Sequence, residues 1–181
     1  MTTDPPRSLE IGTLRLPEGG AIGITRCPGT ELDLPASARE GGDLSADLAA
    51  IRNWGATTVV TLNPPQELEA LGVPQLGETV QAAGMEWLYL PIGDMAAPDR
   101  PWEEQWLAVG PTIHQKLKDG ETVVFHCGGG LGRAGTIAAL TLIERGESPD
   151  QAIATVRQAR PGAIESPDQQ LYLQTRPGSA I

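Results

Sequence analysis

The segment VVFHCGGGLGRAGT, residues 123–136, constrains this chain more than any other. A β-branched apolar run ends at His126-Cys127, five residues follow of which four are Gly, and an apolar helix pattern starts at about residue 133. A Gly-rich turn lets successive backbone N–H groups point into one concave space without side-chain clashes. The helix that follows adds its unpaired amides and the positive end of its dipole. Gly128, Gly129, Gly130, Leu131, Gly132 and Arg133 are therefore expected to form an oxyanion cradle of about phosphate size. Cys127 stands at its base, where the same field favours the nucleophilic thiolate. Arg133 closes it with a planar fork that can hold two oxygens at once.

Around this segment, strand and helix patterns alternate. Residues 11–26 read as one or two short strands broken at Pro17-Glu18-Gly19-Gly20, followed by a Pro- and Gly-punctuated loop. Helix signals run from Asp43 to Asn53, with Gly55 as a stop. TTVVTL (57–62) is a strand ended by Asn63-Pro64-Pro65. Residues 74–83 read as a helix, MEWLYLPI (85–92) as a strand, and Pro101 opens a helix to Lys118 that Pro111 should kink or break. Strand 121–127 and helix 133–145 complete the signature unit. Ser148-Pro149-Asp150-Gln151 and Ser166-Pro167-Asp168-Gln169 each carry the signals of a capped helix start with a capping box. The pattern predicts an α/β domain with a central, mostly parallel sheet flanked by helices on both sides. The site should lie at the carboxyl end of strand 121–127. The first ten residues read as a flexible tail and residues 11–181 as a single domain.

Charge narrows the partners. Among 181 residues, 13 basic and 23 acidic side chains leave a formal charge of −10, so nucleic acid and anionic membrane surfaces are not expected. The longest apolar stretch, AGTIAALTLI (134–143), is about half the ~20 residues of a membrane span. No apolar signal segment opens the chain. Two cysteines cannot staple a secreted scaffold, which makes the reducing cytoplasm the expected compartment.

HCGGGLGRAG resembles the H-C-x5-R signature of the cysteine-dependent protein tyrosine and dual-specificity phosphatases. The likeness extends through VVTLNPPQELEALGVPQL, LYLPIGDMAAPD and RPGAIESPDQQLYL, so it spans about Ile22 to Leu173. It is strongest toward the cyclin-dependent-kinase-associated branch and similar bacterial proteins. The resemblance implies that Cys127 attacks phosphorus to form a phosphocysteine. An aspartic acid then protonates the leaving oxygen and later deprotonates the hydrolytic water. That acid falls in PIGDMAAPD, where Asp94 matches the family position and Asp99 is the second candidate. The resemblance also gives His126 a supporting role in ordering the loop, and Gln169 a possible role in orienting water that competes with its capping box. Neither a metal nor an organic cofactor is implied. The substrate that the resemblance implies is a phosphorylated protein or a small phosphate monoester.

One residue departs from the pattern. The position after the signature Arg is usually Ser or Thr, whose hydroxyl stabilises the departing thiolate; here it is Ala134. Thr136 stands about 200° further round the helix and is expected to face away. The second step should therefore be slow. Ala134 also sustains the alternative of a catalytically weak phosphate-binding module, and the cysteine loop itself a third reading in sulfur transfer or arsenate reduction. Cys27 reads as a small core or loop residue, or else as a redox partner of Cys127. His114, Glu67 and Arg100 read as ordinary partly exposed or surface residues.

Overall fold

The computed structural model describes residues 8–177. Five strands form one sheet: β1 (Gly12–Arg15), β2 (Ala21–Thr25), β3 (Thr58–Thr61), β4 (Glu86–Tyr89) and β5 (Thr122–His126), in the order β1-β2-β5-β3-β4. Only the β1–β2 hairpin, turned at Pro17–Gly20, is antiparallel. The other strands are parallel because each pair is joined through helix. Among the described residues seven α-helices accompany the sheet: α1 (Leu44–Trp54), α2 (Pro65–Ala70), α3 (Leu76–Ala82), α4 (Arg100–Lys118), α5 (Gly132–Glu144), α6 (Pro149–Ala159) and α7 (Pro167–Gln174).

Alternation along the strands divides the core into two layers. Ile22, Ile24, Val60, Val123 and Phe125 pack against α4, α5, α6 and α7. Val59 and Val124 face the opposite way, against Leu48, Ile51, Leu68, Leu76 and Val80 of α1, α2 and α3. Helix α5 is buried from Gly132 through Ile143, as a helix apolar on every side must be. Its burial fixes the start of the helix, and hence the signature turn, to the end of the central strand. Gly23 faces the second layer: a Cβ there would come within 2.9 Å of the Trp54 ring.

Four local readings change. Pro111 does not break α4. The carbonyl deprived of its helical partner is that of Leu107, on an exposed turn where water can reach it, while Trp106, Ile113 and Leu117 hold the opposite face in the core. Pro65 does more than end a strand: it occupies the first turn of α2. The capping box is complete only at Ser166, where Gln169 is buried and returns its side chain. At Ser148 the hydroxyl accepts from Gln151 N, but no return bond forms. Finally, His114 is buried on the imidazole side of Glu144, 2.7 Å from Oε2, rather than partly exposed. Of the tail expected over residues 1–10, residues 1–7 lie outside the described residues; Leu9 is buried and the Glu10 carbonyl accepts from the Thr25 hydroxyl at 2.9 Å. No helix among the described residues is long and apolar enough to cross a membrane.

Replacing Gly23 with Val should destabilise the fold by about 1–3 kcal/mol, the cost of overpacking a filled site. The shift of the urea unfolding midpoint measures it; an unchanged midpoint would show that Trp54 can move aside.

Candidate active site

The sequence places Cys127 one residue beyond the central strand, and the β2–β5 pairing continues past it. Thr25 pairs with His126, then Cys27 N donates to Gly128 O at 2.9 Å. The next two carbonyls are held by one side chain. Arg160 Nε donates to Gly130 O at 3.2 Å and Nη2 to Gly129 O at 3.1 Å. Leu131 O accepts from Gly135 N and Ile164 N, both at 3.1 Å. Four successive loop carbonyls are thus bonded away from Cys127. In a planar trans peptide the N–H points opposite to the C=O, so the N–H groups of Gly129, Gly130, Leu131 and Gly132 turn inward. Gly130 has φ +74°, and a Cβ on it would lie 2.3 Å from the Thr25 carbonyl carbon, so only glycine fits. No side chain caps the start of α5; instead, Ala134 N donates to Cys127 Sγ at 3.5 Å.

Arg133, only 3% exposed, is clamped rather than free. Its Nη1 and Nη2 donate to Glu67 Oε2 and Oε1 at 2.8 and 2.7 Å, and Nη1 also donates to Ile92 O at 3.0 Å. Asn63 Nδ2 donates to Glu67 Oε1 at 2.8 Å. Burial raises the Glu67 pKa, but the bonds from Arg133 and Asn63 and the Arg133 charge outweigh it, leaving the carboxyl below its ordinary range. The clamp holds the guanidinium against the loop, with Nη2 3.5 Å from where a Cβ of Gly128 would be.

The two candidate acids separate cleanly. Asp94, with a side chain 75% exposed, has Oδ1 3.3 Å from Arg133 Nη2. Asp99 instead caps α4, accepting from Trp102 N at 2.9 Å. Met95, beside Asp94, has φ 60°, a strained conformation for a residue with a Cβ. Gln169 joins this loop to the last helix. Its Nε2 donates to Ala96 O at 3.2 Å, and its Oε1 accepts from Glu165 N and Ser166 N. The same amide stands about 3.1 Å from where a Cβ of Gly132 would be.

The His126 ring is engaged by Thr61 on one side and by the Cys127 backbone on the other. Its Nε2 lies 2.7 Å from Thr61 Oγ1, which also accepts from Trp87 Nε1 at 2.8 Å. Burial, opposed by a hydrogen bond to the Cys127 backbone and reinforced by the charge of Arg133, pushes the imidazole down to about 4. Thr136 spends its hydroxyl on Gly132 O at 2.6 Å, so it does not replace a hydroxyl at position 134. Cys27 is fully buried in the second core layer, across the sheet from the layer of Cys127, and both thiols are free. Burial above all, with the nearby charges of Glu67 and Cys127, pushes the Cys27 thiol up to about 12. It is a core residue. Arg100 pairs with Glu104 on the surface, as expected. Among the described residues no group of three or more His, Cys, Asp or Glu is placed to hold a metal ion.

Sequence reasoning missed two residues. Glu67 was read as surface charge, yet it holds Arg133; the only signal was an acid in the first turn behind Pro65. Arg160 carried no signal at all, since nothing in RPGAI says that its guanidinium reaches back to the signature turn.

The unfolded chain protonates His126 near its ordinary ~6.5, whereas the folded chain resists until about 4. Stability from this residue is therefore complete above about pH 6.5 and lost as pH falls toward 4. Urea midpoints at pH 7 and 4.5 should fall more for the wild type than for His126→Gln; equal falls would remove the buried neutral imidazole from the account.

Comparisons place this geometry. Residues 37–147 match the model of the family described as "Polymorphic toxin system, DSP-PTPase phosphatase". Bovine protein tyrosine phosphatase type IVA 3 is 34% identical over 131 residues, covering 68% of this chain and 66% of that protein. The mouse type IVA 2 protein is 35% identical over 127 residues, covering 65% and 75%. The chain thus spans about two thirds of the length of the type IVA 3 relatives. The solved kinase associated phosphatase, crystallised with its catalytic-site cysteine changed to serine, superposes with a TM-score of 0.79 at 26% identity, covering 93% of this chain and 94% of that one. With the signature turn, its buried arginine and the sheet order in place, this chain belongs to the cysteine-dependent protein tyrosine and dual-specificity phosphatase family.

Proposed function

We propose that this protein hydrolyses phosphate monoesters of phosphotyrosine, phosphoserine or phosphothreonine through a phosphocysteine on Cys127. The observation that carries the reading is the set of outward-bonded carbonyls from Gly128 to Leu131, which aims a ring of N–H donors at the space above Cys127 Sγ. Such donors suit the three non-bridging oxygens of a phosphoryl group. The guanidinium that the Glu67 clamp fixes beside the loop holds phosphoryl oxygens as charge develops.

In the first step Cys127 Sγ attacks phosphorus, the P–O bond to the leaving group breaks, and Asp94 gives the departing oxygen its proton. In the second, water attacks phosphorus, the S–P bond breaks, and Asp94 takes the proton of the water. The thiolate and inorganic phosphate are restored. Asp94 starts on Arg133 Nη2 at 3.3 Å, one hydrogen bond from the incoming oxygens, which supports it over Asp99, already spent as a helix cap. Gln169, tied to the Asp94 loop through Ala96 O and close to Gly132, is assigned to holding that loop and orienting the water. The chemistry needs Cys127 reduced, in keeping with a cytoplasmic setting.

Hydrolysis of an aryl phosphate tests the assignment. Cys127→Ser should abolish turnover, and Asp94→Ala should lower kcat about 10²-fold or more. Asp99→Ala should cost about 1 kcal/mol of stability, the usual loss for a cap, with a smaller effect on kcat. A larger kinetic loss in Asp99→Ala reverses the choice of acid. EDTA should leave the rate unchanged.

With Ala134 in place, the time course should show a burst of one equivalent followed by slow turnover. Ala134→Ser supplies a donor to the departing thiolate, and a single hydrogen bond of about 1 kcal/mol corresponds to a roughly fivefold faster steady rate. A linear wild-type time course would contradict a rate-limiting second step. A burst with no turnover at all would favour the phosphate-binding module.

A further inference from the structure

A second cavity, of about 350 Å³, opens beside the signature turn and shares Gly129 and Leu131 with it. Its remaining walls are Glu10, Leu32, Asp33, Arg160 and Pro161. The walls are of two kinds. Leu32, Leu131 and Pro161 offer an apolar passage, whereas Glu10 and Asp33 offer carboxylates.

The sign of the charge that a ligand meets there depends on which charged groups reach solvent. Arg160 does not: its side chain is 5% exposed. Nε and Nη2 are spent on Gly130 O and Gly129 O, Nη1 lies 3.4 Å from Glu10 Oε2, and Nη2 lies 4.0 Å from Asp33 Oδ2. Asp33 also pairs with the buried Arg26 at 2.8 Å. Glu10, by contrast, keeps its carboxylate 71% exposed. The guanidinium therefore forms the floor and a carboxylate forms the rim.

Building on the proposed function, we infer that this cavity is a substrate subsite that receives an arginine or lysine side chain close in sequence to the phosphorylated residue. A long aliphatic stem with a cationic head matches a passage that is apolar along its sides and acidic at its mouth. The phosphoryl group in the adjoining loop fixes where the peptide enters, and a cavity that shares Gly129 and Leu131 with that loop lies within reach of a long side chain near the phosphorylated residue. A second phosphate is disfavoured, because the one cation that could receive it is buried and already bonded to the loop. The substrate class that follows is a phosphoprotein segment with a basic residue near the phosphorylated side chain, rather than a polyphosphorylated molecule.

The test uses phosphotyrosine peptides in an alanine background, with one arginine walked from three residues before to three residues after the phosphotyrosine. A parallel set carries glutamate at the same places, and an aryl phosphate serves as reference. For the wild type, arginine at one or two positions should raise kcat/KM by about three- to tenfold over alanine, the scale of one or two partly exposed charge pairs. Glutamate there should lower it, and added salt should shrink both effects. In Glu10→Gln and Glu10→Arg the arginine-to-alanine ratio should fall to about one and below one. The ratio cancels any effect of these variants on the chemical step. A wild type that hydrolyses aryl phosphate but shows no preferred arginine position, or a preference that survives in Glu10→Arg, overturns the subsite. Failure to hydrolyse aryl phosphate as well as every peptide overturns the proposed function, and the subsite with it.

Discussion

The structure depends on where the carbonyl groups of one turn are sent. A peptide unit cannot turn its N–H inward unless its C=O turns outward, and a buried C=O needs a partner. Here the partners come from three distant parts of the chain: the Cys27 amide after β2, the Arg160 side chain after α6, and the Ile164 amide before α7. Ile164 adopts φ 62° to supply that amide, a rare conformation for a β-branched residue. The cradle is thus assembled from outside, and four of the five residues between Cys127 and Arg133 are glycines.

Charge placement follows the same economy. Burying an arginine is costly unless its donors are satisfied. Arg133 is satisfied by Glu67 and the Ile92 carbonyl, Arg160 by loop carbonyls with Glu10, and Arg26 by Asp33 and Asp47. Each buried cation near the site thereby has a fixed direction before any substrate arrives, and pre-orientation of this kind avoids reorganisation during reaction. The net result is a small, strongly donating pocket in a chain that is acidic elsewhere.

Legibility in the sequence tracked how local the cause was. The order of the strands and the longer helices, the helix signal at 43–53, the capping box at Ser166 and the Gly-rich turn at 127–133 are written in neighbouring residues and are readable there, whereas the short α2 behind Pro65 is not. Asp94 could be placed in its loop but not distinguished geometrically from Asp99, because the difference lies in one contact to Arg133 and another to the start of α4. Glu67, 66 positions from Arg133, and Arg160, 30 positions from Gly130, act across gaps that no spacing rule covers. His114 looked exposed because its partner Glu144 is on another helix.

By itself the sequence determined the alternation of apolar runs, the glycines that permit the turn, and the placing of a thiol and a guanidinium at its two ends. These follow from the conformational freedom of single residues and from side-chain chemistry, which do not require a partner. Tertiary structure alone decided which carbonyls are pulled outward, which acid stands on Arg133, and which charges at the mouth reach water. Those outcomes depend on surfaces brought together by the packing of α5 into the sheet, where burial removes solvent as a competing partner and leaves each polar group only the neighbours that the fold supplies.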